Sequence, residues 1–252
     1  MLAEIDTCQD GLLTERTPVT RRPWAAWFKA GTEWALALGL LILTLPLLLL
    51  SALLVKLTSR GPIIYSQTRL GRNGRPYRIF KLRTMIHNCE KASGPRWAIP
   101  DDPRATALGR FLRRTHLDEL PQLWNVLRGE MSLIGPRPER PEFATLLGRV
   151  IPLYNDRLLV RPGVTGLAQV QLGPDTDLES VRRKLAYDLY YVRQASLWLD
   201  VQILLSTAFH VFGCSVTIPR KLFGIPGGDT VEDSYRNLAE EAEPLFQIQG
   251  VN

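Results

Sequence analysis

Apolar residues are concentrated in one uninterrupted run near the start of the chain. From Trp34 to Val55 the sequence reads WALALGLLILTLPLLLLSALLV, without a single charged side chain. About 20 consecutive apolar residues are enough for an α-helix to cross the hydrocarbon core of a bilayer. The run therefore predicts a helix embedded in a membrane. It is too long, and starts too late, for a cleavable signal peptide.

Basic residues flank this run on both sides. Lys29 precedes it, and the segment that follows, from Lys56 to Arg83, contains eight Lys or Arg residues and no Asp or Glu. Because Lys and Arg next to a membrane helix resist translocation, a simple span would place one basic flank on the unfavourable side. The flanks favour a segment that enters the membrane and returns to the same side.

Pro46 lies in the middle of the run and gives this segment a place to bend. Proline removes one helical hydrogen bond and clashes with the carbonyl four residues earlier. The hydroxyl of Thr44 could bond to a carbonyl freed in this way. We predict a re-entrant membrane helix over residues 31–57, broken at Pro46, with a kinked spanning helix as the alternative.

A β-hairpin is predicted directly after the membrane segment. The stretches IIYSQTRL and PYRIFKLRTM flank GRNGR, and Asn73-Gly74 is a strong signal for a tight hairpin turn. Lys81 and Arg83 are two residues apart on the second arm, so they share one face of the strand. The pair could bind a phosphate, or it could be an exposed basic strand edge that deters aggregation.

Two short helices are predicted next, with an acidic pair between them. Apolar residues recur at helical spacing from Ala105 and predict a basic amphipathic helix that ends near Leu120, before a proline. Pro121 can begin a second helix, PQLWNVLRG, which Gly129 ends. Asp118 and Glu119 would then lie at the junction of the two helices.

The remainder of the chain predicts loops, a long helical segment and an acidic tail. MSLIGPRPERP and RPGVTGLAQV are rich in Gly and Pro and predict loops with short strands. Residues 179–212 predict helix with a break at Ser196, lying on the membrane or in the core. We divide the chain into a cytosolic tail (1–30), the membrane helix (31–57), a catalytic domain (58–220) and a mobile acidic C-terminal tail (221–252).

Composition narrows the classes of partner. The chain of 252 residues has 31 Lys and Arg against 25 Asp and Glu, which favours anionic partners such as phosphates and lipid headgroups. Its three cysteines form no CxxC pair, so they predict neither a disulfide framework nor a structural zinc site. No motif for binding DNA or RNA is present, and we expect no nucleic-acid partner.

The acidic pair is the best candidate for chemistry. A carboxylate can attack phosphorus to form an acyl phosphate, and Mg²⁺ bound by one or two carboxylates can neutralise the phosphate charge. Arginine offers a planar fork to phosphate oxygens. Asp118 and Glu119 are therefore candidates for nucleophile and metal ligands, and the candidate phosphate ligands are Lys81, Arg83, Arg113, Arg137 and Arg161. Spacing alone leaves a helix cap or a surface ion-pair network as an equal alternative.

Four segments together resemble the bacterial sugar transferase family, the monotopic polyprenyl-phosphate hexose-1-phosphate transferases. They are GRNGRPYRIFKLRTM, RRTHLDELPQLWNVLRGEMSLIGPRP, RPGVTGLAQV and YDLYYVRQASLWLDVQILL, and they cover about residues 30–220 in order. The resemblance implies a UDP-hexose donor, undecaprenyl phosphate as acceptor, Mg²⁺ and release of UMP. It matches Asp118 to the aspartate that forms a covalent phosphosugar, and Glu119 to its partner in catalysis and metal binding.

The same resemblance implies the architecture and the location. The predicted fold class is α/β in a helix-rich α+β arrangement, with a re-entrant N-terminal helix and a small cytosolic catalytic domain that carries interfacial amphipathic helices. The location implied is the cytoplasmic face of the bacterial inner membrane, in contact with lipid. Asp188, in YDLYY, is a weaker match, with helix packing as its alternative role. A non-catalytic scaffold that binds anionic lipid is the alternative function, and homodimer formation stays open.

Overall fold

The N-terminal apolar run forms one long helix. The structure, a computed structural model, describes residues 23–89, 102–173, 177–211, 213–215 and 217–249. Helix α1 extends over Pro23–Thr58, so it begins before the predicted position 31. Residues 1–22 of the predicted tail (1–30) lie outside the described residues. Its segment Ala26–Thr58 is long and apolar enough to cross a membrane, and only 11% of its most apolar stretch is buried in the protein.

The predicted break at Pro46 does not interrupt this helix. The helical conformation continues through Pro46 to Thr58. The Thr44 hydroxyl donates to the carbonyl of Leu40, 2.7 Å away, rather than to that of Ile42, the acceptor that Pro46 leaves without its N–H. The expected role of Thr44 at a break stays a prediction. The path of α1 in the membrane, re-entrant or spanning, stays a prediction.

A buried polar cluster, here called the anchor cluster, attaches the start of α1 to the rest of the protein. It consists of Lys29, Glu33, Ser132, Tyr191 and Asp200. The Lys29 ammonium lies 2.6 Å from the Asp200 carboxylate and 3.1 Å from that of Glu33. Ser132 donates to Glu33 and Tyr191 donates to Asp200, at 2.6 and 2.7 Å. These contacts join the N-terminal part of the apolar helix to the core at one position.

The predicted hairpin is confirmed. Strands β1 (Ile64–Leu70) and β2 (Pro76–Leu82) pair antiparallel, with Ile64 opposite Leu82 and Leu70 opposite Pro76. Asn73 and Gly74 adopt left-handed φ angles of 57° and 72° in the turn, the conformation that an Asn-Gly hairpin turn requires.

The two short helices and the junction between them are also present. Helix α2 (Ala107–Arg114) starts at Thr106, whose hydroxyl accepts a hydrogen bond from the Gly109 N–H. It ends earlier than predicted, and a single 3-10 turn, Leu117–Glu119, follows. Helix α3 (Gln122–Leu127) comes next, and Gly129 ends it with a left-handed φ of 73°.

The Gly- and Pro-rich segments form two short strands in parallel. Strand β3 (Ser132–Ile134) pairs with β4 (Gly163–Thr165). A Cβ on Gly135 would clash with the backbone of Arg161, and one on Gly163 would clash with that of Gly135. This close approach requires glycine at both positions and holds the GPRP loop (residues 135–138) against β4. Between the strands lie helix α4 (Pro141–Val150) and a 3-10 helix, Tyr154–Leu159.

The core is closed by the helices of the second half of the chain. They are α5 (Leu167–Gln171), α6 (Leu178–Gln194) and α7 (Leu197–Val211), with the predicted break at Ser196 confirmed between the last two. Buried residues of α6 and α7, including Tyr191 and Ile203, pack with Ile79 of the hairpin and Leu133 of β3. The opposite face of α7 exposes apolar side chains such as Trp198 and Val201. The mixed, helix-rich fold class is thereby confirmed.

The prediction of a mobile acidic tail is wrong. Helix α8 (Thr217–Phe223) and helix α9 (Gly228–Gln249) occupy this region. Val231 is fully buried in the main core, and Arg183 of α6 pairs with Glu232 at 3.3 Å. An acidic composition indicated a solvated segment, but the apolar residues at helical spacing among the charges give α9 a face that packs.

Candidate active site

The predicted acidic pair lies on the 3-10 turn between α2 and α3. His116 precedes the turn in a left-handed conformation, and its carbonyl accepts a hydrogen bond from the Glu119 N–H at 3.1 Å. Asp118 is buried, with 6% of its surface exposed. The cluster formed here by Asp118, Glu119, Lys81, Arg113 and Arg137 is called the carboxylate cluster.

Glu119 is paired with two cations from distant segments. Its Oε1 atom lies 2.7 Å from the Lys81 ammonium of β2 and 2.7 Å from the Arg137 guanidinium of the GPRP loop. Burial by itself would raise the pKa of Glu119, but the charges of Arg137 and Lys81 outweigh it and hold that pKa well below its usual range. Glu119 is therefore ionised at neutral pH. Its second oxygen, Oε2, accepts no hydrogen bond from the residues that the structure describes.

Asp118 differs from its neighbour because no cation is paired with it. Among the described residues, none donates a hydrogen bond to its carboxylate or forms an ion pair with it. Burial, together with the negative charge of Glu119, raises the pKa of Asp118 to about 6, although Lys81, Arg113 and Arg137 oppose the shift. A buried, unpaired carboxylate surrounded by cations is poised to act on an anionic substrate.

The predicted phosphate ligands divide into two groups. In the first group, Lys81 and Arg137 contact Glu119 directly. Arg113 also belongs to it, because its positive charge lowers the pKa of Asp118. The Nε atom of Arg113 donates to the Thr84 hydroxyl at 2.8 Å. The Arg137 side chain is 41% exposed, so part of its guanidinium reaches solvent. These three cations outnumber the two carboxylates, which leaves the cluster with a net positive charge.

Arg83 and Arg161 do not join the cluster. The Arg83 guanidinium is buried and donates to the backbone carbonyl and the hydroxyl of Ser59, both at 2.7 Å, at the end of α1. A cation there neutralises the negative end of the helix dipole. The expected role of Arg83 as a phosphate ligand stays a prediction. Arg161 is exposed and forms no ion pair with Asp118 or Glu119 within the described part of the chain.

A buried ion pair that sequence reasoning missed holds the GPRP loop. Arg157, in the 3-10 helix after α4, lies 2.6 Å from the Asp188 carboxylate and donates to the backbone carbonyl of Arg137 at 3.0 Å. It also donates to the Tyr154 hydroxyl at 2.8 Å. Asp188 was a weak match in the sequence, but nothing in the segment around Arg157 indicated this role. Asp188 therefore positions Arg137 through Arg157 and does not touch the carboxylates.

A small cavity lies against the GPRP loop. Its walls include Gly71, Arg137, Tyr154 and Arg157, and neither Asp118 nor Glu119 lines it.

The chain matches the family model of bacterial sugar transferases over residues 24–214. It is 44% identical over 185 residues to the UDP-N-acetylgalactosamine-undecaprenyl-phosphate N-acetylgalactosaminephosphotransferase of Aeromonas hydrophila, a match that covers 73% of this chain and 44% of that protein. It is 41% identical over 199 residues to the undecaprenyl-phosphate glucose phosphotransferase of Komagataeibacter xylinus, covering 76% of this chain and 37% of that protein.

A shorter relative is matched over most of its length. The exopolysaccharide production protein PSS of Rhizobium leguminosarum bv. phaseoli is 41% identical over 176 residues, which are 68% of this chain and 88% of that protein. By contrast, the chain spans less than half the length of the Aeromonas and Komagataeibacter relatives. The matched region contains α1 through α7 and both buried polar clusters, and it ends before α8. This chain belongs to the bacterial sugar transferase family.

Proposed function

We propose that this protein transfers a hexose 1-phosphate from a UDP-sugar to undecaprenyl phosphate, as the first membrane step of extracellular polysaccharide or glycan synthesis. The observation that supports the proposal most directly is the buried, unpaired carboxylate of Asp118 in a cluster with an excess of cations. Two relatives are named for the same class of activity, the transfer of N-acetylgalactosamine phosphate or glucose phosphate with undecaprenyl phosphate.

In the first step, a carboxylate oxygen of Asp118 attacks the phosphorus that carries the sugar. A bond forms between this oxygen and the phosphorus, while the bond from phosphorus to the bridging oxygen of the diphosphate breaks. The electron pair leaves on that bridging oxygen, and UMP departs. Lys81, Arg113 and Arg137 lie where they can compensate the negative charge of the diphosphate. The product on the protein is an aspartyl phosphosugar.

In the second step, a phosphate oxygen of undecaprenyl phosphate attacks the same phosphorus. The bond to Asp118 breaks and the carboxylate is regenerated, so the enzyme returns to its starting state. Two displacements through a covalent intermediate replace one difficult direct transfer between two anions. The lipid acceptor must approach from the membrane, and α1 with the exposed apolar face of α7 provides the surfaces for contact with lipid.

The residues present fit Mg²⁺ as a cofactor. Within the described residues no group of three or more His, Cys, Asp or Glu side chains could hold a metal ion by itself. Mg²⁺ usually takes only one or two protein carboxylates and completes its shell with substrate phosphates and water. Asp118 and the unbonded Oε2 of Glu119 would hold it. When bound, the ion neutralises phosphate charge and polarises the phosphorus.

Transfer of a labelled sugar phosphate from the donor to the protein tests this mechanism. Membranes or nanodiscs carrying the protein are incubated with UDP-sugars labelled in the sugar, without acceptor, and the protein is then separated and counted. We expect label on the wild-type protein, release of UMP, and loss of the label when undecaprenyl phosphate is added. Asp118→Asn should carry no label. Turnover with acceptor but no labelled protein would contradict the covalent intermediate and indicate direct attack by the lipid.

The same assay tests the cofactor and the alternative function. Chelation with EDTA should abolish UMP release, and added Mg²⁺ should restore it. A non-catalytic lipid-binding scaffold would bind anionic vesicles and release no UMP from any UDP-sugar in the panel. Because the donor panel shows which UDP-sugar yields UMP, it also identifies the sugar donor.

A further inference from the structure

We propose that His116 and His210 form a positioning pair that holds the 3-10 turn of the acidic pair in its active conformation. The two imidazole rings are stacked, with their centroids 5.6 Å apart and their planes at 18°. His116 stands directly before the turn, and His210 lies in the last turn of α7. The inference rests on the proposed function, since it concerns the same carboxylates.

The backbone of His116 determines where Glu119 points. Its N–H donates to the carbonyl of Arg113 at 3.2 Å, and its carbonyl accepts from the Glu119 N–H at 3.1 Å. His116 thus links the end of α2 to the acidic pair through two backbone hydrogen bonds. Any change in its backbone angles would rotate the turn and displace both carboxylates relative to Lys81 and Arg137.

This backbone conformation needs support from elsewhere in the fold. His116 has φ 56° and ψ 14°, the left-handed region that residues with a Cβ adopt rarely. Such a conformation persists only when surrounding contacts enforce it. The ring of His116 is otherwise exposed, and the stack with His210 is the contact that fixes its direction. Near-parallel aromatic rings at this separation attract one another.

His210 is a suitable partner because its own position is fixed by the core. Helix α7 is buried through Leu199 and Ile203, and its Thr207 hydroxyl lies 2.8 Å from that of Thr165 in β4. Phe209, next to His210, packs edge-on against Phe223 of α8. A rigid helix end therefore presents one flat ring to a strained turn, and the stack transmits the position of α7 to the acidic pair.

Substitutions of His210 that remove or keep a flat ring test whether the stack positions the acidic pair. In nanodiscs we expect His210→Leu to lower kcat about tenfold with little change in the donor KM, because a displaced nucleophile affects chemistry more than binding. His210→Phe keeps a flat ring and should retain activity within about twofold. His87→Leu, which removes the remaining, exposed histidine, is the matched control and should behave as wild type.

A double-mutant cycle tests whether the two rings act as one unit. His116→Asn suits the left-handed conformation but removes the ring. If the pair acts through the stack, His116→Asn combined with His210→Leu should be no slower than the slower single variant. The proposal would be overturned if the double variant were slowed by the product of the two single-variant factors. It would also be overturned if His210→Leu were fully active, or if His210→Phe lost activity.

The NMR spectrum of the histidine rings provides a measurement that does not depend on activity. The chain has three histidines, so protein labelled with carbon-13 at the imidazole rings gives three signals to assign. His116→Asn should shift the His210 signal and leave that of His87 in place, whereas an unchanged His210 signal would overturn the stack. Absence of wild-type turnover with every UDP-sugar would instead overturn the proposed function, so the two failures are distinct.

Discussion

The anchor cluster and the carboxylate cluster both contain buried carboxylates and cations, but their carboxylates are paired to different degrees. In the anchor cluster both carboxylates are paired with Lys29, and each accepts a hydrogen bond from a hydroxyl, Asp200 from Tyr191 and Glu33 from Ser132. In the carboxylate cluster two cations bind one oxygen of Glu119, and Asp118 has no paired cation among the described residues.

The difference separates a structural role from a chemical one. A buried carboxylate that is paired with a cation and hydrogen-bonded stabilises one conformation. A buried carboxylate without a partner, when charged, lowers the stability of the folded protein. Such a loss of stability is tolerated where the group takes part in chemistry. The ordinary alternative for the acidic pair, an ion-pair network, therefore describes Glu119 but not Asp118.

The largest expected effect is that of Asp118→Asn. Because Asp118 is the proposed nucleophile, its removal should lower turnover by about 10⁴-fold or more, as in enzymes with established covalent intermediates. The same change should stabilise the protein by up to about 3 kcal/mol, because it removes a carboxylate whose pKa is raised to about 6. Turnover and thermal unfolding in nanodiscs measure the two effects. A clear loss of stability would contradict the assignment of Asp118 as an unpaired charge.

The opposite pattern is expected for Lys29→Met in the anchor cluster. Removing the cation leaves Asp200 and Glu33 buried without a countercharge, which should cost about 3–5 kcal/mol of stability. Thermal unfolding measures this loss. The triple variant Lys29→Met, Glu33→Gln, Asp200→Asn removes all three charges and should recover most of the stability. If the triple variant is no more stable than the single one, buried charge is not the cause.

A smaller effect on activity is expected for Asp188→Asn. Arg157 would lose its ionic partner and hold the Arg137 carbonyl less firmly, so activity should fall by about 10–100-fold, mainly through a higher donor KM. Tyr154→Phe is the matched control, because it removes one hydrogen bond to Arg157 and leaves Asp188 and Arg137 in place. Equal effects of the two changes would argue against the ion pair as the positioning element.

The smallest effect is on the dependence of turnover on pH. Attack requires the charged form of Asp118, and its pKa is raised to about 6, so activity should be lost as the pH falls through that value. Between pH 7 and pH 5 the ionised fraction drops about tenfold. Glu119 stays ionised over this range because its pKa is lowered. A rate of UMP release that stays constant down to pH 5 would mean that Asp118 is not the titrating group.

Local signals in the sequence predicted most elements correctly. The Asn-Gly turn, the proline at position 121, Gly129 and the break at Ser196 each act through nearby backbone geometry, and the hairpin and helices follow them. These signals do not reveal interactions between distant segments. Arg83 is two residues from Lys81, yet it bonds to Ser59, and α9 packs because α6 offers it an apolar surface.

The residue order by itself determined the long apolar helix, the hairpin, the helix junction that carries Asp118 and Glu119, and the family resemblance. These depend on contacts within a few residues or on continuous strings of letters. Only the tertiary structure decided that Glu119 is paired with Lys81 and Arg137 while Asp118 has no paired cation among the described residues, and that Arg157 and His210 lie against segments that carry the site. The physical reason is that pairing and desolvation of a charge depend on which distant segments meet around it.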